Sequence, residues 1–291
     1  MLQEVLRYLD LSPGKTIVDA TVGTGGHSEK ILEGILPGGC LIAIDRDQES
    51  LNLARERLAK YKNSCNFIHG NFSDIDTILR NLKVKRIDGI LFDLGISSFQ
   101  LENPERGFSF QQQGPLDMRL DRSSYISAYD LVNNLNEEEI SLLLRNFGQE
   151  RWHNRIAHLL VQERERHPIA STQELADIVV NAIPYRFRYR YYRIHPATRT
   201  FQAVRIAVNR ELEALETAVK KAVDLLSRDA RICIISFHSL EDRIVKLTFR
   251  RCAAEGKLQI LTPRPLVTRY EEIQVNPSSR SAKLRVARKI K

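Results

Sequence analysis

The sequence is poor in cysteine, and none of its four cysteines, Cys40, Cys65, Cys233 and Cys252, belongs to a C-x-x-C pair. That spacing argues against a zinc site and against a disulfide framework, so free thiols and no metal are expected. Long apolar runs are also missing: nothing approaches the roughly 20 consecutive apolar residues that cross a bilayer. The opening "MLQEVLRYLDLSPGKTIVDA" sets Glu4, Arg7 and Asp10 among its leucines. A signal or transit peptide reads differently, so a cytoplasmic protein with no membrane partner is expected. The chain has no internal repeat and no low-complexity tract. Acids vanish from one stretch, since Ile178 to Arg210 carries seven arginines and neither Asp nor Glu.

What is present suits a globular protein: 291 residues, 43% apolar, 27% charged, with a formal net charge of +8. The length admits one large core or two modest ones. A basic excess points to a polyanionic partner, and its concentration in the acid-free stretch says more than the total does.

In the first hundred residues, short apolar runs ("TIVDA", "LIAID", "NFIHG", "IDGILFDLG") alternate with helix-like segments near 27–35, 47–60 and 73–82. Near-continuous apolar strands separated by amphipathic helices indicate a doubly wound, Rossmann-like α/β sheet with both faces covered. After Ser98 the pattern turns to loops and helices, with no convincing strand until about residue 231. "NEEEISLLLRNFG" offers Asn136 as N-cap, Glu139 three residues on and Gly148 as a stop. "STQELADIVVNAIP" opens with the Ser171/Glu174 capping-box spacing, and "ERWHNRIAHLLVQ" repeats Trp152, Ile156 and Leu160 at helical intervals. These features predict a helical domain inserted at 105–204 into a sheet domain made of 1–104 and 205–291. One long helix is expected from about Phe201 to Leu226, followed by the strand "ARICIISFHS", the helix "LEDRIVKLTFRR", and an antiparallel pair from "LQILT" and "AKLRVARK".

The stretch "DATVGTGGHSEKIL" puts a glycine-rich turn between the first strand and its helix. Such a turn lets a ligand approach the backbone and the free N–H groups of the helix start. Dinucleotide-binding proteins and S-adenosylmethionine (SAM) methyltransferases both use it. The dinucleotide pattern G-x-G-x-x-G requires a glycine where this chain has Ser28, and Lys30 is not in a Walker context. Asp45 ends the second strand twenty residues after Gly25. There a carboxylate can accept both ribose hydroxyls of a nucleoside, or simply pair with Arg46.

Together "TVGTGGHS", "AIDRD", "FDLGISSFQL", "ERGFSF", "GPLDMR", "GQER", "HPATRTFQAVRIAVNREL" and "ISFHSLEDRIVK" cover nearly the whole chain in order. On these motifs the chain resembles the bacterial ribosomal RNA small subunit methyltransferase H family, also called MraW. The resemblance implies a class I SAM-dependent methyltransferase sheet and methyl transfer from SAM to N4 of a cytidine in the decoding region of 16S rRNA of the small ribosomal subunit. It also implies that Gly25, Gly26 and His27 hold the methionine end of SAM, Asp45 the ribose and Phe72 the adenine, with Asp93 and Gln100 also at the cofactor.

Amine methylation needs donor carbon and acceptor nitrogen aligned, and hydrogen-bond acceptors aimed at the amino hydrogens. Asp93, Asp117 and His238 are the candidates. Asp117 could instead be salt-bridged to Arg119 or Arg122, and His238 could be a satisfied buried histidine. The chain has no Pro-Pro, hence no [DNS]-P-P-[YFW] motif of DNA amino-methyltransferases. No cysteine follows a proline, as cytosine C5 methylation typically requires. Arg186, Arg188, Tyr189, Arg190, Arg193 and Arg199 in "YRFRYRYYRIHPATRTF" combine phosphate contacts with stacking faces for RNA, or form a solvated loop. The basic tail "SSRSAKLRVARKIK" is a second phosphate track or a solubilising end. A non-catalytic assembly factor that keeps the SAM fold is the rival reading; it would need a broken pocket, yet "GTGGH", "AIDRD" and "FDLG" are intact. A homodimer stays open.

Overall fold

The computed structural model describes residues 1–188 and 195–291. They form two compact units, Met1–Gly95 with Leu212–Lys291, and Ile96–Glu211. The second unit is wider at both ends than the segment 105–204.

The first unit opens with α1 (Leu2–Leu9), β1 (Thr16–Asp19), α2 (Gly26–Ile35), β2 (Cys40–Asp45), α3 (Gln48–Arg57), β3 (Cys65–His69), α4 (Ile75–Asn81) and β4 (Ile87–Asp93). All of these strands pair in parallel, with Val18 of β1 opposite Ile42 of β2 and Ile90 of β4. Successive strand residues point to opposite faces. Val18, Ile42, Ile90 and Phe92 therefore enter one buried cluster while Ile17, Leu41, Ala43 and Leu91 enter another. Two buried faces explain why the strands read as unbroken apolar runs.

The second unit contains α5 (Ser98–Glu102), α6 (Ala128–Asn134), α7 (Glu137–Gly148), α8 (His153–Arg164), α9 (Thr172–Ala182), α10 (Tyr185–Arg188) and α11 (Thr198–Asn209) around Leu144, Ile156, Leu160, Leu175, Val179 and Val204. The capping box of α7 is complete: Asn136 Oδ1 accepts from Glu139 N at 2.9 Å, and Glu139 Oε2 accepts from Asn136 N at 2.8 Å. In α9 the Ser171 hydroxyl accepts from Glu174 N at 3.2 Å, but Glu174 reaches back one residue further, to Ala170 N. Gly148 does not end α7 by adopting a left-handed conformation; Gln149 does, with φ 49°. The glycine is there for packing, because a Cβ would lie 2.7 Å from the carbonyl oxygen of Arg199 in α11.

The single long helix expected over 201–226 is two helices, broken at Arg210 with φ 49°. At the break, Asn209 is buried and bridges the preceding loop: its Nδ2 donates to Met118 O, and its Oδ1 accepts from Leu120 N, each at 2.8 Å. Arg205 and Glu211 clamp the same corner through two bonds of 2.9 Å. A continuous apolar stripe cannot report such a corner, since both halves keep the helical period.

The chain then forms α12 (Glu211–Leu225), β5 (Leu226–Ser236), α13 (Ser239–Ala254), β6 (Leu258–Ile260), β7 (Leu266–Val267), α14 (Tyr270–Val275) and β8 (Lys283–Lys289). The sheet order is β3-β2-β1-β4-β5-β8-β6, with β7 also on β8. β6 and β8 pair antiparallel as expected, and β8 lies between β5 and β6. Two of its basic side chains are consequently structural. Arg285 is buried and donates to Asp242 Oδ1 at 2.6 Å, and buried Lys289 donates to Val223 O at 2.8 Å. All four cysteines are free, and burial pushes the Cys65 thiol up to about 12. Among the described residues, no helix is long and apolar enough to cross a membrane.

Candidate functional site

Three neighbouring parallel strands each finish on an aspartate: β2 on Asp45, β1 on Asp19 and β4 on Asp93. The chain leaves β1 toward β2 and β3, then returns to β4 on the other side of β1. Open α/β sheets bind ligands at that reversal, beyond the carboxyl ends of the strands.

Between β1 and α2, Gly23 and Gly25 adopt φ 52° and 85°, a region that costs other residues about 1–2 kcal/mol. Gly26 differs. A Cβ there would meet nothing nearer than Arg57 Nη1 at 3.8 Å, so the protein's own packing does not demand glycine. Its bare Cα sits at the first position of α2, beside N–H groups that have no intrahelical partner. That is a cradle for a carboxylate.

Backbone groups fix the Asp45 carboxylate: Oδ2 accepts from Gly23 N at 2.7 Å and Oδ1 from Asp47 N at 2.9 Å. Each oxygen keeps a lone pair for a further donor. Burial pushes the Asp45 carboxyl up to about 6, against the pull of those two hydrogen bonds. Phe72, in a short turn after β3, is partly buried and stands edge-on to Phe92 with ring centroids 5.7 Å apart.

His27 Nδ1 lies 3.3 Å from Asp93 Oδ2. The other atom of each group, His27 Nε2 and Asp93 Oδ1, is buried with no hydrogen-bond partner. The Asp93 backbone N–H donates to Thr21 Oγ1 at 2.6 Å, which ties the end of β4 to the glycine turn. Asp19 is 1% exposed; it accepts from Ser28 Oγ at 2.7 Å and from Thr21 N at 3.3 Å. Sequence reasoning passed over Asp19 and treated Ser28 only as a missing glycine. The available signal was the repetition of a strand-final aspartate in "VDAT", "AIDRD" and "LFDLG".

His238, two residues past β5, is the N-cap of α13. Its Nδ1 accepts from Glu241 N at 3.4 Å, while Glu241 Oε2 accepts from Phe237 N at 2.8 Å and His238 N at 3.3 Å. An accepting Nδ1 places the neutral ring's proton on Nε2, 3.2 Å from Glu241 Oε1 at an angle that makes no hydrogen bond. The ring is thus wired as a donor, not as an acceptor for amino hydrogens.

Asp117 and Gln100 belong to the second unit. Asp117 holds Arg119 by two 2.8 Å bonds, and Arg119 braces the loop through Ser124 O at 2.6 Å. Burial would raise the Asp117 carboxyl, but Arg119 outweighs it and leaves the group below the usual carboxylate range. The salt-bridged alternative is the one observed. Gln100 is 4% exposed and closes the capping box of α5, its Oε1 accepting from Ser97 N at 2.9 Å.

Of the basic candidates, Arg186 stacks over Phe187 at 4.7 Å. Arg188 donates to Ile183 O at 2.8 Å and Asn181 O at 3.2 Å, and Arg199 donates to Gln149 O at 3.2 Å. Tyr189, Arg190 and Arg193 lie outside the described residues.

A carboxylate with two spare lone pairs, a carboxylate cradle, and an unpartnered donor-acceptor pair fit a ribose-bearing ligand with an amino-acid end. That is the chemistry of SAM. Comparison with known proteins agrees: residues 1–290 match the sequence profile of the MraW methylase family. A ribosomal RNA small subunit methyltransferase H of Pelobacter propionicus is 47% identical, covering 100% of this chain and 97% of that protein. One from Persephonella marina is 48% identical, covering 99% and 97%. Among solved structures, an rRNA methylase from Streptococcus thermophilus aligns at TM-score 0.45 and 12% identity, covering 100% of this chain and 94% of that one.

Proposed function

The chain belongs to the MraW methylase family, and from that membership together with the site geometry we propose that it methylates N4 of a cytidine in the decoding region of 16S rRNA of the small ribosomal subunit. Coarsely, it is a SAM-dependent rRNA methyltransferase. The observation that carries the reading is the set of groups at the ends of β1, β2 and β4, where Asp45 is fixed by backbone N–H groups and His27 and Asp93 keep buried atoms without partners.

SAM supplies a methyl group on a sulfonium sulfur that is already a good leaving group, so the chain's work is binding, alignment and proton handling. Asp45 accepts the ribose hydroxyls. The turn at Gly25 and Gly26, with His27, receives the methionine carboxylate, and Phe72 offers its ring to the adenine. Asp93 takes the acceptor role: Oδ2 anchors His27, and Oδ1 accepts an N–H of the cytosine amine and the proton it releases. Gln100, Asp117 and His238 act as supports, stiffening the loops they cap or brace. No step uses a thiol, in keeping with four free cysteines, three of them buried.

The test is incubation of the protein with methyl-labelled SAM and small subunits that lack the modification. Label is expected in 16S rRNA, with turnover falling at least 100-fold in Asp93→Asn. Unlabelled rRNA from wild-type protein that demonstrably binds SAM would favour a non-catalytic assembly factor.

A further inference from the structure

We propose that Arg151 is an RNA phosphate contact, joined with Arg186 in a two-arginine clamp carried by the rings of Trp152 and Phe187. This rests on the rRNA reading of the protein and adds to it a residue from outside the acid-free stretch.

The clamp is built on aromatic rings. Trp152, the N-cap of α8, and Phe187 of α10 have ring centroids 5.2 Å apart, and both pack against the apolar core of the second unit. Arg151 comes from the turn between α7 and α8, and its guanidinium lies over both rings, 5.3 Å from Trp152 and 5.8 Å from Phe187. Arg186 lies over the same Phe187 at 4.7 Å. Attraction to the ring faces fixes where the two guanidiniums sit and leaves the N–H donors at their edges for a ligand.

Two cations are thereby held beside one ring with nothing to neutralise them. Both arginines are exposed, and among the described residues neither donates a hydrogen bond or pairs with a carboxylate. Arg188 differs, since it spends its donors on Ile183 O and Asn181 O. The acid next to Arg151 in sequence is turned inward: Glu150 is 2% exposed, and its Oε1 accepts from Trp152 N at 2.8 Å. Residues 189–194 supply no counter-charge either, because Ile178 to Arg210 contains neither Asp nor Glu.

Like charges gathered without an acid repel each other, and a bound anion removes that cost. Guanidinium edges match the oxygens of a phosphate with paired hydrogen bonds. The aromatic rings decide which anion. They add a face on which a base can stack, and a nucleic acid brings base and phosphate together where an acidic protein segment brings only charge.

The experiment measures binding of the whole chain to small subunits that lack the modification, over a series of salt concentrations, for wild type, Arg151→Met and Arg151→Lys. Methionine keeps an apolar stem over the rings and removes the charge. Arg151→Met is expected to flatten the plot of log K against log salt by about 0.7, the share of one single-stranded phosphate contact, and so to weaken binding about fourfold at about 0.15 M salt, with an unchanged thermal midpoint. Arg151→Lys is expected to keep the slope with its charge and to lose affinity with the paired hydrogen bonds. Arg186→Met makes the same test on the other arginine of the clamp if Arg151→Met does not fold. A wild-type slope in the folded variant overturns the proposal, because the arginine then only covers the rings. If the wild-type protein still binds and methylates the subunits in that case, the rRNA reading stands; wild-type protein that binds SAM but no subunits at any salt overturns both.

Discussion

At the scale of single residues the site is governed by which lone pairs and protons are already spoken for. Asp45 has one lone pair left on each oxygen, and burial holds its carboxyl at about 6. Ribose hydroxyls bind the ionised form, so SAM affinity should fall as pH drops through about 6. Asp45→Ala should weaken SAM binding by about 1.5–3 kcal/mol, roughly 10- to 150-fold in Kd, read by calorimetry at neutral pH. An acidic limb that persists in Asp45→Ala would assign it to another group. The sequence made Asp45 legible because its distance from the glycine turn is a chemical requirement. It hid Asp19, because a strand-final aspartate looks the same whether it meets a ligand or is held by the protein's own Ser28 and Thr21. It also left Asp117 and His238 ambiguous, since residue type alone cannot show that Arg119 or the start of α13 has already claimed them.

At the scale of elements, period and capping chemistry carried most of the fold. Strands buried on both faces and complete caps such as Asn136 with Glu139 are local signals, and they place the helices of the second unit as well as the sheet. What was not local was not legible. The break at Arg210 depends on Asn209 reaching Met118 and Leu120, some ninety residues away in sequence. Gly148 shows the same limit: it reads as a helix stop, yet it exists so that α7 can approach α11. Gly148→Ala should gain about 1 kcal/mol of helix propensity and lose about 1–3 kcal/mol to overpacking against Arg199 O. Net destabilisation, read as a lower urea midpoint, is expected; a stabilised variant would mean that α7 and α11 shift apart freely.

At the scale of the whole molecule, the net charge of +8 is unevenly available to a polyanion. Strand β8 consumes Arg285 and Lys289 internally, and Arg188 and Arg199 spend donors on carbonyls of the second unit. Arg285 and Lys289 are therefore closed to a phosphate, which composition could not reveal, whereas Lys283 and Arg288 keep side chains 39% and 41% exposed. Arg190 and Arg193 of the acid-free stretch, which lie outside the described residues, are the arginines proposed to contact phosphate. Replacing both by alanine should flatten the salt dependence of RNA binding by about 1.4, at about 0.7 per single-stranded phosphate contact. Arg188→Ala should instead lower stability, because it uncaps α9. An unchanged slope in the double variant would move the RNA contact elsewhere. The account as a whole stands on the identity of the methylated atom, and mass analysis of nucleosides from treated small subunits reads it directly. N4-methylcytidine is the result the account predicts; 5-methylcytidine, or a methyl group on another base, would contradict it.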